Sequence, residues 1–374
     1  MSQNASKLPK LVIKGKTLST PIIQGGMGVG VSLHPLASAV AREGGMGIIS
    51  SACIDKLVSV RKGKTVDAYE SAYDEVSLAK ENGGLAGINI MVALVRDYAA
   101  SVKGALDAGA DAIISGAGLP LSLPAIQPAK DTALIPIVSS PRAFDIILKK
   151  WARLGYRPDA VVLEGPLAGG HLGFSMDQVE LESNTLENLL PPVKDMAIKN
   201  GDIPVIVAGG IYTHEDILRF IAMGADGVQM GTRFLATDES SATQAYKQAV
   251  VDAKDEDILV ASRPMSPASP CGLPFRILKQ SAMYQSCLRG TRHPNCSKGY
   301  LLLKDAQGNY TVCAARNNAT DFFCICNGLL SSAGFNSNDE EPLYTVGTNA
   351  SRVDRIMPVK ELMDELKGIT ASSN

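Results

Sequence analysis

Short apolar runs alternate with longer stretches of helical periodicity along most of this chain. In most runs the apolar residues are consecutive rather than at every second position, which is typical of parallel strands buried on both faces. Eight runs predict strands, at residues 21–26, 45–50, 85–90, 112–116, 134–139, 160–165, 204–209 and 227–231. The stretches between them predict connecting helices, among them residues 34–42, 97–106, 142–154, 186–199, 213–223 and 241–251. A further helix, rich in Ala, Glu and Lys, is predicted between the second and third strands.

This alternation predicts an α/β fold in which each strand is followed by a helix. Eight strand–helix pairs within about 250 residues match a (β/α)8 TIM barrel. An open, doubly wound sheet of similar content is the alternative, and the count and spacing of the strands favour the closed barrel. We therefore expect a barrel over residues 1–255 of the 374-residue chain.

The rest of the chain has a different pattern. Residues 256–345 are rich in Pro, Cys, Asn and Ser and have weak periodicity, so we expect a Cys-rich extension or lid there. Residues 346–374 are expected to form a helical segment that packs back on the barrel. Within them, apolar residues at 359, 362, 363 and 366 predict an amphipathic helix.

Composition and charge limit the classes of partner. Hydrophobic residues make up 45% and charged residues 20% of the chain, as in ordinary globular proteins. The formal net charge is −2, and no long Lys/Arg run is present, so we expect no nucleic-acid partner. The N-terminal residues lack the apolar core of a signal peptide, and no apolar stretch is long enough to span a membrane. A cytoplasmic location is the simplest expectation.

Glycines cluster where the predicted strands seven and eight end. Gly209 and Gly210 follow the seventh strand, and Gly231 and Thr232 follow the eighth. Ligand groups in a barrel come from the C-terminal ends of strands, and phosphate is commonly held after these two. Glycine lets backbone N–H groups approach phosphate oxygens closely. A phosphate site is favoured over the alternative that these glycines only form tight turns.

His171 is the strongest candidate for acid–base chemistry among the four histidines of the chain. It alone lies in a glycine-rich loop after a predicted barrel strand, within residues 169–173. Imidazole has a near-neutral pKa, which suits general acid or base catalysis. A lone histidine is more often structural, so the position in the loop, rather than the residue type, supports a catalytic role.

Together these residues resemble the nitronate monooxygenase family and the related flavin-dependent enoyl-acyl-carrier-protein reductases. The resemblance runs from residue 21 to about residue 237. Its most specific parts are Ile23-Gln-Gly-Gly-Met-Gly28, Glu164-Gly-Pro-Leu-Ala-Gly-Gly-His-Leu-Gly173, Ala208-Gly-Gly-Ile211 and Gln229-Met-Gly-Thr-Arg-Phe234. Four such matches in the same order are very improbable by chance.

The resemblance implies FMN lying across the mouth of the barrel, with His171 as the catalytic residue. The cofactor-binding positions it implies are Gly25, Gly26, Met27, Asn89, Glu164, Gly169, Gly170, Gly209, Gly210, Gln229, Met230, Gly231 and Thr232. It further implies an FMN-dependent oxidoreductase that oxidises alkyl nitronates or nitroalkanes with O2.

Two positions leave the identity of the substrate undecided. Nitronate monooxygenases often carry Gln where this chain has Glu164, whereas the enoyl reductases carry Glu, and Leu167 replaces a residue that is usually acidic. The alternative is thus an enoyl thioester reductase that uses NAD(P)H. Rivals of other classes are a barrel without flavin and a non-catalytic ligand-binding barrel. The oligomeric state is open, a homodimer being one option.

Six of the seven cysteines fall in the last third of the chain. The candidates for a metal site are Cys287, Cys296, Cys313, Cys324 and Cys326. Their spacing matches no standard zinc or iron–sulfur pattern. Their density still leaves zinc or an iron–sulfur cluster as one interpretation, and buried or reduced thiols as the other.

Overall fold

The computed structural model describes residues 7–293, 303–304, 307, 310–335 and 340–369. Its strands, in chain order, are β1 (Leu11–Ile13), β2 (Lys16–Leu18), β3 (Ile22–Gln24), β4 (Met46–Ser50), β5 (Leu85–Met91), β6 (Ala112–Gly116), β7 (Ala133–Val138), β8 (Val161–Glu164), β9 (Gly170–His171), β10 (Val205–Ala208), β11 (Gly227–Met230), β12 (Ile258–Ala261), β13 (Phe275–Leu278), β14 (Leu303–Lys304) and β15 (Tyr310–Thr311).

Helices follow most of these strands. They are α1 (His34–Arg42), α2 (Ile54–Lys62), α3 (Ala68–Lys80), α4 (Tyr98–Asp107), α5 (Leu123–Ile126), α6 (Pro141–Ala152), α7 (Leu186–Lys199), α8 (His214–Ala222), α9 (Thr232–Leu235), α10 (Gln244–Val251), α11 (Ala282–Arg289), α12 (Ala314–Asn317), α13 (Ile325–Ser332) and α14 (Val359–Leu366). None of the described helices is both long and apolar enough to cross a bilayer.

Eight strands close into a barrel in the order β10-β11-β3-β4-β5-β6-β7-β8. Every neighbouring pair in this barrel is parallel. Each of the eight overlaps one of the apolar runs in the sequence, so the predicted TIM barrel is confirmed. All their C-terminal ends consequently lie on one face, which is the face that carries ligand sites in this architecture.

The opposite end of the barrel is covered by a hairpin that the sequence did not predict. Strands β1 and β2 pair antiparallel, and Leu11, Ile13 and Leu18 are buried with the side chains that fill the barrel. Leu11 also lies against Gly227, where β11 begins. The hairpin therefore closes the N-terminal end of the barrel and leaves the other end for function.

Strand β13 and helices α11 and α13 pack over the C-terminal face. Strand β13 pairs antiparallel with β12 and with β9, so a three-stranded sheet joins residues 258–278 to the loop of His171. Buried side chains of β13, α11 and α13 share a cluster with Val29, Leu57 and Leu94, which follow the ends of barrel strands. Helix α14 lies against α1, and its Leu362 and Met363 are fully buried.

Candidate active site

A cavity of about 690 Å³ opens at the C-terminal ends of the barrel strands. This volume is in the range of small-molecule and cofactor sites. All fourteen positions predicted for His171 and the cofactor line it, namely Gly25, Gly26, Met27, Asn89, Glu164, Gly169, Gly170, His171, Gly209, Gly210, Gln229, Met230, Gly231 and Thr232. Sequence positions as far apart as 25 and 232 thus meet in one place.

Ser32 fixes the first glycine-rich loop, residues 25–28, through hydrogen bonds. Ser32 Oγ accepts a hydrogen bond from the Met27 N–H at 2.9 Å and from the Gln24 side-chain amide at 2.8 Å. Gln24 Oε1 in turn accepts from the Ile48 N–H at 3.1 Å. Since Gln24 and Ser32 are fully buried, these bonds fix the loop on a rigid strand end.

Close packing explains why glycine occupies position 26. A Cβ atom there would lie 2.4 Å from Asn89 Cβ, so only glycine lets the loop approach the end of β5. Nearby, Gln229 Oε1 is buried and has no hydrogen-bond partner among the described residues. A buried acceptor without a partner is costly, and a ligand N–H in this cavity would satisfy it.

The glycines after β10 have a backbone that other residues rarely adopt. Gly209 has φ of +100° and Gly210 has φ of +81°. On the neighbouring strand end, the Thr232 hydroxyl accepts a hydrogen bond from the Gly347 N–H at 2.9 Å. The two loops predicted to hold phosphate are therefore adjacent, and a segment from near the C-terminus is tied to one of them.

His171 lies in β9 between two side chains of the later chain. Its Nε2 is 2.7 Å from Ser269 Oγ, and its ring centroid is 4.5 Å from that of Phe275. Burial lowers the pKa of His171 to about 4, because the low-dielectric surroundings penalise the charged imidazolium. The imidazole is therefore neutral at pH 7, with its orientation set by Ser269.

Glu164 ends β8 and lines the same cavity. Burial raises the pKa of its carboxyl to about 7, because the site disfavours the carboxylate. Among the described residues no backbone N–H donates to this carboxyl, so it is not a strand-end carboxylate held by the backbone. A carboxyl that titrates near neutral pH in a cavity is typical of a functional site.

Several residues of the site, some in the cavity wall and one beside it, were missed by sequence reasoning. Ser269, which is fully buried, and Phe275 contact His171 from the extension, and residues 345–349 line the cavity near Thr232. Tyr246 anchors that last segment, because its hydroxyl donates to Thr345 O at 2.5 Å and accepts from the Thr345 N–H at 2.7 Å. No local motif distinguishes these residues, since each reaches the cavity only through distant pairing.

The described residues do not support a metal site. No group of three or more His, Cys, Asp or Glu side chains within the described ranges could hold a metal ion. Cys287, Cys313, Cys324 and Cys326 are described, and Cys296 lies outside the described residues. Cys287 donates a hydrogen bond to Ala319 O at 3.3 Å, and burial raises the pKa of its thiol to about 11. This cysteine is therefore a protonated, buried thiol at neutral pH.

Known proteins are similar to this chain in sequence and in fold. The family model described as nitronate monooxygenase matches residues 10–368. A probable nitronate monooxygenase from Staphylococcus aureus is 34% identical over 128 residues, which are 34% of this chain and 35% of that relative. That match thus spans about a third of the relative's length.

Two solved structures have the same fold along nearly the whole chain. FabK from Thermotoga maritima has a TM-score of 0.66 and 24% identity, over 93% of this chain and 92% of that one. The nitroalkane oxidase from Streptomyces ansochromogenes has a TM-score of 0.64 and 22% identity, over 93% of this chain and 94% of that one. At these identities the likeness shows the fold alone.

Proposed function

The chain belongs to the nitronate monooxygenase family of oxidoreductases, and on that premise we propose that it is an FMN-dependent enzyme of the nitronate monooxygenase type. Its substrates are alkyl nitronates or nitroalkanes, O2 is the electron acceptor, and His171 is the acid–base residue. The main support is the buried, neutral imidazole of His171 in the same cavity as two adjacent glycine loops.

The cavity residues fit FMN in two respects. The unpaired acceptor Gln229 Oε1 suits a flavin ring N–H, and the left-handed backbone of Gly209 and Gly210 suits a phosphate that backbone N–H groups approach closely. Gly25, Gly26 and Asn89 would line the ring, while Gly231 and Thr232 would complete the phosphate end. When bound there, FMN would supply the electron-transfer chemistry between the substrate and O2.

His171 handles the proton in this proposal. With its Nε2–H donated to Ser269 Oγ, His171 keeps the Nδ1 lone pair, and Nδ1 accepts the α-proton of a neutral nitroalkane. The lowered pKa keeps the base in its neutral form across the physiological range. A nitronate that is already ionised needs no such transfer, so His171 then only orients it.

An enoyl thioester reductase that uses NAD(P)H is the second candidate, because Glu164 matches the residue that those reductases carry. In that reaction His171 would protonate the product carbanion. Steady-state assays separate the two functions. We expect O2 consumption with ethylnitronate in the absence of NAD(P)H. Oxidation of NAD(P)H with a crotonyl thioester, and no reaction with nitronate, would instead establish the reductase.

The pH dependence should follow the carboxyl of Glu164. It is neutral below its pKa of about 7 and charged above it, so an anionic nitronate is repelled increasingly as the pH rises through 7. We expect kcat/KM for ethylnitronate to fall about tenfold across that range. The pH profile of kcat/KM for Glu164→Gln should lack this inflection, while the exposed control Glu81→Gln keeps it. An inflection that persists in Glu164→Gln would assign it to another group.

Ser269 should act as a positioning residue. Ser269→Ala removes the partner of His171 Nε2, so we expect kcat for nitroethane to fall about tenfold with KM changed less than about twofold. The acidic limb of the pH profile should also move, because the environment of the imidazole changes. Ser269→Thr keeps a hydroxyl and should restore most of kcat. Equal kcat values for wild type and Ser269→Ala would show that this hydrogen bond has no role.

A further inference from the structure

A second cavity, of about 670 Å³, lies behind the loop that carries His171. It shares Leu167, Gly209, Gly210 and Thr348 with the first cavity and otherwise has its own walls. Most of these walls are apolar, from Met176, Val179, Leu181, Leu186, Phe220, Ile258, Leu259, Val260, Met265 and Tyr284. Its size is that of a small-molecule site rather than a packing defect.

The three-stranded sheet separates the two cavities. Phe275 pairs with His171 and lines only the first cavity, whereas Arg276 pairs with Gly170 and lines only the second. Successive side chains of a strand point to opposite faces, so the two residues of β13 serve different cavities. Val260 is directly opposite Arg276 in the register of β12 and β13, which puts both on the face of the second cavity.

Arg276 carries a buried charge that no carboxylate of the described residues neutralises. Only 3% of Arg276 is exposed, and its Nη1 donates to Pro166 O at 2.9 Å and to Ala168 O. No carboxylate among the described residues pairs with it, and its other guanidinium nitrogens make no hydrogen bond to them. Burial lowers the pKa of Arg276 to about 10, still far above neutral pH, so the guanidinium stays charged.

A second buried arginine of this protein, Arg292, does have an anionic partner. Arg292, at 7% exposure, is bound by Glu340 through two hydrogen bonds, Nε to Oε2 at 3.0 Å and Nη2 to Oε1 at 2.8 Å. Paired buried guanidinium groups of this kind are the rule, because an unpaired buried charge is costly. Arg276, in contrast to Arg292, has no anionic partner among the described residues.

The other charged groups around the second cavity do not supply that anion. At its rim Arg219 Nη1 contacts Glu187 Oε1 at 2.6 Å, so these two charges offset each other. Glu180 also lines the cavity but is exposed. The remaining side chains of the cavity wall are mostly apolar. We propose that this cavity binds an amphipathic carboxylate, whose headgroup pairs with Arg276 and whose alkyl chain lies against Val260 and its neighbours.

The proposal is tested by calorimetric titration of the FMN-loaded protein with decanoate, and with decanol as a neutral analogue. We expect decanoate to bind and decanol to bind at least about tenfold more weakly, since only the carboxylate pairs with Arg276. Val260→Trp fills the cavity without touching the hydrogen bonds of Arg276, and should weaken decanoate binding at least about tenfold. Val12→Trp, on an exposed position of the N-terminal hairpin, is the matched control.

Arg276→Met removes the charge and should abolish the preference for decanoate over decanol. Because Arg276 also holds the 166–168 loop, Val260→Trp carries the test if this variant does not fold. Saturating ethylnitronate should leave decanoate binding unchanged, as the two ligands occupy different cavities. Absence of decanoate binding, equal affinity for decanol, unaltered binding by Val260→Trp, or competition with ethylnitronate would each overturn the proposal.

Discussion

Replacing His171 with alanine should lower kcat/KM for neutral nitroethane by about 1,000-fold, within the range that general-base catalysis contributes. The loss follows from the neutral imidazole that Ser269 and Phe275 hold in the cavity. With ethylnitronate, which is already ionised, the same variant should lose less than about tenfold. The measurement is steady-state O2 consumption with each substrate across a range of pH.

This test depends on comparing the loss of kcat/KM with nitroethane and the loss with ethylnitronate. A variant that merely disturbs the cavity would slow both reactions alike, whereas loss of a base slows only the reaction that needs proton removal. His293→Ala, at an exposed histidine outside the cavity, is the matched control and should behave as wild type. Equal losses with nitroethane and ethylnitronate, or no loss with either, would remove His171 from the role of base.

Gly210→Asp should weaken FMN binding about 100-fold, which corresponds to about 2.8 kcal/mol. Aspartate tolerates a left-handed backbone better than most residues, so the fold should persist despite the φ of +81°. Its carboxylate would then face the anionic phosphate in the loop where backbone N–H groups are expected to bind it. The measurement is fluorescence titration of the flavin-free variant with FMN.

Gly155→Asp is a close control for this substitution. Gly155 also has a left-handed backbone, with φ of +71°, and a Cβ atom there would meet nothing within 4 Å. Both variants bear the same kind of backbone cost and the same added charge, but Gly155 is outside the cavity. At Gly210 a Cβ atom would also lie 2.8 Å from Leu167 Cδ1, the end of a flexible side chain that has to shift. Unchanged FMN affinity in Gly210→Asp, or an equal loss in Gly155→Asp, would contradict a phosphate site after β10.

The barrel could be predicted because its strands have a strong local signature. The run at residues 134–139 is apolar except for Ser139 and becomes the buried strand β7, and similar runs mark the other seven strands. The later sheet has no such signature. Arg276 interrupts the apolar run of β13, and the partners of that strand are residues 170–171 and 258–261, so its formation depends on distant pairing.

The sequence predicted only one of the two helices between the second and third barrel strands. The residues there suggested one helix rich in Ala, Glu and Lys, which corresponds to α3. The structure adds α2, which ends at Gly63 in the left-handed conformation. Glycine at this position is a common C-cap, because it adopts that backbone without steric cost. Gly63 could therefore have indicated the end of α2, but a single glycine does not by itself predict a helix before it.

Only part of the candidate site could be predicted from the sequence. Its glycine loops and His171 follow strands directly, so their meeting at the barrel mouth follows from the topology alone. The partner of His171 is Ser269, 98 residues later, and residue 169 must be glycine because Val346 and Gly347 pack against it. Such contacts join segments with no local relation, and only the folded chain reveals them.

The visible spectrum of the FMN-loaded protein, recorded before and after anaerobic addition of ethylnitronate, tests the central claim most directly. The proposal predicts a bound flavin whose absorbance changes on addition of ethylnitronate without NAD(P)H and recovers when O2 is admitted. Protein that shows no flavin absorbance after incubation with FMN would contradict the cofactor site. A bound flavin that responds to NAD(P)H but not to ethylnitronate would contradict the nitronate-oxidising function.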